Sequence, residues 1–108
     1  MSSTTAWMAL ILSGLADVAW AFALKRSNGF QEPLWSILSL LLLVLLFALL
    51  AKALQVLPLG TAYAVWTGMG AIGTLALGIA VLGESAAIPR LGFAALTIIG
   101  ILGLKATG

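Results

Sequence analysis

Four long apolar runs, separated by short polar breaks, constrain this chain more than any other feature of its sequence. The runs are Ala6–Leu24, Leu34–Ala51, Gly60–Leu82 and Ile88–Leu104, and each has 17 to 23 residues. A helix needs roughly 20 apolar residues to cross the hydrocarbon core of a bilayer. Because lipid offers the backbone no hydrogen-bond partners, such a segment must be helical. The sequence therefore predicts an all-α integral membrane protein, with residues 1–108 forming a single four-helix membrane domain.

Composition supports the same class of protein. The chain is 63% hydrophobic and 7% charged, whereas a soluble domain carries about 25% charged residues. So few charged side chains are not enough to cover the surface of a water-soluble core. We therefore expect a multi-pass protein of the cell's inner (plasma) membrane, in contact with membrane lipid.

The residue types that the chain lacks exclude several functions. It contains no cysteine and no histidine, so it has no disulfide framework and lacks the commonest metal ligands. Its five basic residues are scattered singly or as one pair, which does not make a nucleic-acid site. One deep carboxylate, with no activated serine arrangement, gives enzyme chemistry little support. We expect that the protein is not an enzyme and that it binds no cofactor, metal or nucleic acid.

A lone acid, Asp17, lies in the middle of the first apolar run. A carboxylate near the bilayer midplane costs roughly 2.5–3.5 kcal/mol on insertion scales, so acids found there usually have a function. The alternative is an acid that reaches water or pairs with a basic residue, but the apolar cores of the four runs contain no Lys or Arg. Asp17 is therefore predicted to bind a proton or a cation. It should face a partner helix or a cavity instead of lipid, which favours an oligomer.

Two helical faces carry the candidate binding residues. On the first helix, Gly14 and Trp20 lie about one turn to either side of Asp17, so that Gly14 leaves room for a ligand or a second backbone and Trp20 forms an aromatic wall. On the third helix, Tyr63 and Trp66 share a face, and aromatic rings attract organic cations. The Tyr63 hydroxyl needs a partner in apolar surroundings, and a carboxylate is a suitable one. The alternative for both third-helix aromatics is a place in the aromatic belt at the membrane surface.

Glycines, among them Gly68 and Gly70, cluster in the middle of the third run. Glycine either lets two helices approach closely or weakens a helix so that it bends. Both roles remain open, and Gly68 and Gly70 mark the expected position of a helix kink.

The basic residues give little information about orientation. An even number of spans puts both termini on one side of the membrane, together with Lys52 and Lys105, while the other side has Lys25, Arg26 and Arg90. Two basic residues against three provide almost no bias for the positive-inside rule. Charge alone leaves two alternatives open, a weak preference for one orientation or dual topology with copies inserted both ways.

A family resemblance is carried by two motifs, Gly14-Leu-Ala-Asp17-Val-Ala-Trp20 and Pro58-Leu-Gly-Thr-Ala-Tyr63-Ala-Val-Trp66-Thr-Gly-Met-Gly70-Ala. They resemble motifs of the small multidrug resistance family, and the likeness covers essentially the whole chain. The residues that follow Trp66 are most similar to the guanidinium-exporter subtype. The resemblance implies proton-coupled export of cations by an antiparallel, dual-topology dimer, with a central acid from each first helix.

The chain departs from that family at two positions. The family's central acid is glutamate, and the matching residue here is Asp17. The guanidinium-exporter subtype also has a serine on helix two that supports the central acids. Alignment on Phe47 puts this position at Leu46, which is therefore a further candidate residue of the substrate site.

The residues and the resemblance together predict a proton-coupled antiporter, working as a homodimer, that exports guanidinium or substituted guanidinium cations. A central pair of Asp17 carboxylates would be shared by protons and substrate. Two alternatives stay open. One is an exporter of quaternary ammonium or aromatic cations, with Trp20, Tyr63 and Trp66 as the cage. The other is a subunit of a paired heterodimer that transports nothing alone.

Overall fold

Helices make up most of residues 2–107, the part of the chain that the computed structural model describes. The described part contains four of them and no strand: α1 (Ser3–Arg26), α2 (Pro33–Leu54), α3 (Leu59–Val81) and α4 (Ile88–Thr107). Each is long and apolar enough to cross a membrane. The prediction of an all-α protein with four membrane-spanning helices is confirmed.

Most of the helices extend beyond the apolar runs. Helix α1 begins at Ser3, where the Ser2 hydroxyl accepts a hydrogen bond of 3.1 Å from the backbone N–H of Thr5, and it continues to Arg26. Helix α4 continues to Thr107, whose hydroxyl donates to the Gly103 carbonyl. An apolar run marks only the part of a helix that lies in hydrocarbon. Polar residues at the headgroup level keep their helical hydrogen bonds, so the helix is longer than the run.

Short loops join the helices. Between α1 and α2, Asn28, Gly29 and Phe30 all have positive φ angles, of 50°, 69° and 66°. The buried hydroxyl of Ser27 donates to the Leu24 carbonyl and accepts from the Phe30 N–H, which closes this turn. The tight connection brings α2 back directly beside α1.

Helix α1 lies at the centre of the subunit. It packs along α2 on one side and against α3 on the other, while α4 packs against α3. The buried core joins α1, α2 and α3 and consists of Ala6, Leu10, Leu50, Ala53, Leu57, Ala62 and Val65. By contrast, α4 has no buried residue between Ile88 and Thr107. Most of its apolar surface is therefore available to lipid or to a second subunit.

Candidate functional site

The carboxylate of Asp17 lies against the backbone of α3 at Gly70. A Cβ atom added to Gly70 would overlap an oxygen of this carboxylate. Gly70 is buried and Asp17 is partly buried, so the acid occupies a space that exists only because residue 70 has no side chain. The structure thus gives Gly70 a contact with the candidate acid that the sequence had not indicated.

Asp17 is not neutralised by a basic side chain within the described residues. The described part of the chain, residues 2–107, contains a single ion pair. It joins Arg90 to Glu84 at 2.8 Å. That pair lies in and next to the loop between α3 and α4, and Arg90 also donates to the Ser85 carbonyl at 2.8 Å. The Asp17 carboxylate is therefore available to a proton or to a cation from solution.

Small residues make the crossing of α1 and α3 close at three successive points. A Cβ atom on Gly14 would lie 2.9 Å from Met69 Cε, and one on Gly73 would overlap Val18. The contact between Asp17 and Gly70 lies between these two points. Small residues at such positions let membrane helices approach each other closely. Within the subunit the space beside Gly14 is filled by Met69. The predicted role of Gly14, to leave room for a ligand or a second backbone, stays a prediction.

The aromatic candidates lie along the same face of α3 as Gly70. The ring centroids of Tyr63 and Trp66 are 5.7 Å apart, and the rings are tilted by 44°. Tyr63 is 54% exposed, whereas Trp66 packs against the core cluster. The indole N–H of Trp66 is buried and has no hydrogen-bond partner among residues 2–107. Trp20, on α1, is partly buried.

Gly68 and Gly70 lie within a helix that is α-helical throughout, from Leu59 to Val81. Gly68 faces α4, where an added Cβ would lie 2.8 Å from Ile101 Cδ1. Gly70 faces α1. Both glycines therefore lie at close helix contacts, and the kink at these positions stays a prediction.

One hydrogen bond between helices was not predicted from the sequence. The fully buried hydroxyl of Ser13 donates to the Leu46 carbonyl of α2 at 2.7 Å. The Leu46 side chain is 1% exposed and so is enclosed within the subunit. Two other serines instead bond locally in α2. Ser36 donates to the carbonyl of Glu32, just before the helix, and Ser39 donates to the carbonyl of Ser36. The one signal in the sequence is that Ser13 stands next to Gly14, since two adjacent small residues allow a close helix approach.

A cavity of about 130 Å³ lies between α1 and α3, one turn beyond the contact between Asp17 and Gly70. Its lining consists of Ala21, Phe22, Lys25, Thr74, Leu77, Leu82 and Glu84. Ala21 is four residues after Asp17, and Thr74 is four residues after Gly70, so the cavity lies between the level of the acid and the charged residues Lys25 and Glu84 in its lining.

A single carboxylate at a helix crossing can bind a small cation or a proton. Among residues 2–107, no group of three or more His, Cys, Asp or Glu side chains is placed to hold a metal ion. What the fold offers is one carboxylate at a helix crossing, with the rings of Trp66 and Tyr63 about one and two turns before Gly70 on α3. The fold defines a helical multi-pass membrane protein.

Comparison with known proteins identifies the family. A family model described as "Small Multidrug Resistance protein" matches residues 5–99. A guanidinium exporter of Yersinia pseudotuberculosis serotype I (strain IP32953) is 50% identical over 100 residues, covering 93% of this chain and 96% of that protein. Guanidinium exporters of Escherichia coli (strain K12) and Salmonella typhimurium (strain LT2) are 48% and 46% identical over 99 residues, covering 92% of this chain and 94% of each relative.

The chain belongs to the Small Multidrug Resistance family, as the sequence motifs predicted. The names of the family and of these relatives are those of membrane transport proteins, not of enzymes.

Proposed function

We propose that the chain is a proton-coupled antiporter that exports guanidinium or substituted guanidinium cations. Its relatives at 46–50% identity are named guanidinium exporters, which supports the substrate class. The observation that carries the mechanism is the carboxylate of Asp17, which lies inside a membrane-spanning helix, against Gly70, with no basic partner among residues 2–107. Guanidinium is planar and binds a carboxylate through two parallel N–H···O hydrogen bonds.

Protons and guanidinium compete for the same carboxylates in this mechanism. Two copies of Asp17, one from each subunit, line a shared chamber, and two acids held close together titrate as a coupled pair. A proton bound to the pair excludes the cation, and a bound cation excludes the proton. This competition couples proton entry to cation export, provided that the chamber opens to one side of the membrane at a time.

An antiparallel homodimer would supply the second carboxylate. The exposed surface of α4, with no buried residue from Ile88 to Thr107, gives a second subunit an apolar face to pack against. In such a dimer the two open states are equivalent by symmetry, so their free energies differ little. A bend of α3 near Gly68 and Gly70 would let one subunit differ in shape from the other.

Transport by the purified protein in liposomes tests the proposal. With a pH gradient across the membrane, guanidinium should move against the protons, and a pH-sensitive dye should report a matching proton flux. Protein-free liposomes and liposomes with the Asp17→Asn variant are the controls. Uptake of guanidinium without proton counter-movement, or no uptake by the unsubstituted protein, would contradict the proposal.

We predict dual topology from the near balance of basic residues, two on one side of the membrane and three on the other. Two lysines added after Lys105 should favour one orientation strongly, because short basic segments next to a span set its orientation. Guanidinium transport should fall, and it should recover when a copy with the opposite charge bias is co-expressed. The measurement is cysteine labelling at both ends of the chain, from each side of the membrane. A uniform orientation of the unmodified protein would contradict the prediction.

A broader substrate range is favoured by one observation, the buried leucine at position 46. With Leu46 in place of the subtype's serine, one hydrogen bond to the central acids is lost. A hydrogen bond to a charged group contributes about 1.5–3 kcal/mol, which is enough to loosen a tight polar network. Trp20, the exposed ring of Tyr63 and the nearby Trp66 can then adjust to apolar substituents on the cation.

We therefore expect the protein to carry alkyl- and phenyl-substituted guanidiniums and some quaternary ammoniums as well as guanidinium. Leu46→Ser should narrow the range towards guanidinium by restoring the hydroxyl. The measurement is competition for uptake in liposomes, with each cation tested against guanidinium in both proteins. If the unsubstituted protein excludes every substituted cation, the broader range is ruled out.

A further inference from the structure

A second carboxylate, that of Glu84, lies against a glycine of α3 in the same way as that of Asp17 does. A Cβ atom added to the buried Gly78 would lie 2.6 Å from Glu84 Cδ. The Glu84 backbone N–H also donates to the Gly78 carbonyl, at 3.0 Å. Gly78 is eight residues after Gly70, so the two glycines are about 12 Å apart along α3. The cavity of about 130 Å³ lies between these levels, and Glu84 is the one acid among the residues that line it.

Two side chains in the lining of this cavity already hold guanidinium groups of the chain itself. Arg90 Nη2 donates to Glu84 Oε1 at 2.8 Å. On the α1 side, Arg26 Cζ lies 5.1 Å from the ring centroid of Phe22. An arginine side chain ends in a planar, delocalised cation that binds carboxylates and aromatic faces. Since this group is the same cation as the proposed substrate, both contacts stand for those of a free guanidinium ion.

We propose that Glu84 forms a second guanidinium site at the loop end of this cavity, and that Arg90 is a built-in competitor for it. The inference rests on the proposed function for the identity of the cation. Guanidinium from solution replaces the Arg90 side chain on the carboxylate and enters the space beside Phe22 and Thr74. The cavity is large enough for several water molecules, so an ion as small as guanidinium fits. The Thr74 hydroxyl donates to the Gly70 carbonyl, and its oxygen can still accept from the ion.

The charges around the cavity decide how tightly the site binds. The side chains of Arg90 and Glu84 are 38% and 42% exposed, and an ion pair this exposed contributes little, so a second guanidinium can displace the first. Lys25 also lines the cavity and has no ion-pair partner within the described residues, so its charge repels a cation there. Binding should therefore be weak, roughly tens of millimolar. Removing either basic residue should strengthen it, whereas a merely structural role of Arg90 predicts the opposite.

The experiment follows the glutamate carboxyl carbons by NMR while guanidinium chloride is added to the purified full-length protein. The chain has two glutamates. Glu32 is exposed, lies just before α2 and is absent from the cavity lining, so it is the control within the same spectrum. The protein carries Asp17→Asn, which removes the central carboxylate of every subunit from the measurement. Because only glutamates are labelled, the titration can be repeated on the unsubstituted protein. Sodium chloride at equal concentration controls for salt.

The Glu84 signal should shift and saturate with guanidinium, while Glu32 should respond no more than it does to sodium chloride. Arg90→Gln and Lys25→Gln should each tighten binding at Glu84 by about two- to fivefold, the range of one exposed charge interaction. Lys52→Gln is the matched control, because Lys52 lies at the far end of the subunit and not in the cavity lining. It should leave the affinity of Glu84 unchanged.

An equal response of Glu84 and Glu32, or an equal effect of sodium chloride on Glu84, would overturn the proposal. Lys25→Gln leaves the ion pair intact, so unchanged or weaker binding in this variant would overturn it even if Arg90→Gln disturbed the loop. The proposed function fails separately. If the unsubstituted protein does not move guanidinium in liposomes while Glu84 still saturates, transport is disproved and the second site stands.

Discussion

Asp17→Asn is expected to abolish guanidinium binding and proton release while the protein still folds and dimerises. Asparagine has nearly the same shape as aspartate but carries no charge and takes up no proton near neutral pH. Losing one partner of a buried charge pair costs about 2–5 kcal/mol, so affinity should fall by at least about 30-fold. The fold should tolerate the change, because Asp17 has no basic partner among residues 2–107 that would be left uncompensated.

Two measurements on the purified variant test this expectation. Isothermal titration of guanidinium into weakly buffered protein reports binding and proton release together, and size-exclusion chromatography reports the dimer. Asp17→Glu is the matched control, since it keeps an acid and restores the residue that the family has at this position. Normal exchange of guanidinium for protons by Asp17→Asn would mean that another group couples the two fluxes.

The four spans follow directly from the sequence because lipid leaves the backbone few choices. An apolar segment of about 20 residues has to satisfy its own hydrogen bonds, so Leu34–Ala51 had to be helical whatever its strand propensity. The same constraint does not predict how the helices pack against one another. Helix α2 is apolar on every side, and a sequence that is hydrophobic all round does not indicate which face meets α1.

The site was predictable in part for the same reason. Asp17 stood out because a charge in lipid is costly. Its contact with Gly70 did not stand out, because glycines in α3 serve several helix contacts, and Gly68 faces α4 while Gly70 faces α1. A serine in a helix often donates to a carbonyl of its own helix, as Ser36 does. Ser13 instead donates to α2, where the Leu46 carbonyl oxygen lies 2.7 Å from its hydroxyl.

Gly70→Ala is expected to impair the site more than other glycine substitutions in the same helix. The new methyl group would occupy the place of the Asp17 carboxylate. Because the carboxylate is at the end of a side chain, it can move away, so the fold should survive while the acid leaves its position. Forcing a methyl group into a packed contact costs about 1–3 kcal/mol, which corresponds to roughly tenfold weaker guanidinium binding.

Gly73→Ala is the matched control for this prediction. Gly73 lies on the same helix and also contacts α1, but its neighbour is the apolar side chain of Val18. Alanine favours a helix by about 1 kcal/mol relative to glycine, so neither substitution weakens α3 itself. If both variants lose affinity equally, the cause is general packing between α1 and α3. If Gly70→Ala alone loses affinity, and only this variant changes the titration of Asp17, then the acid depends on the space that glycine leaves at residue 70.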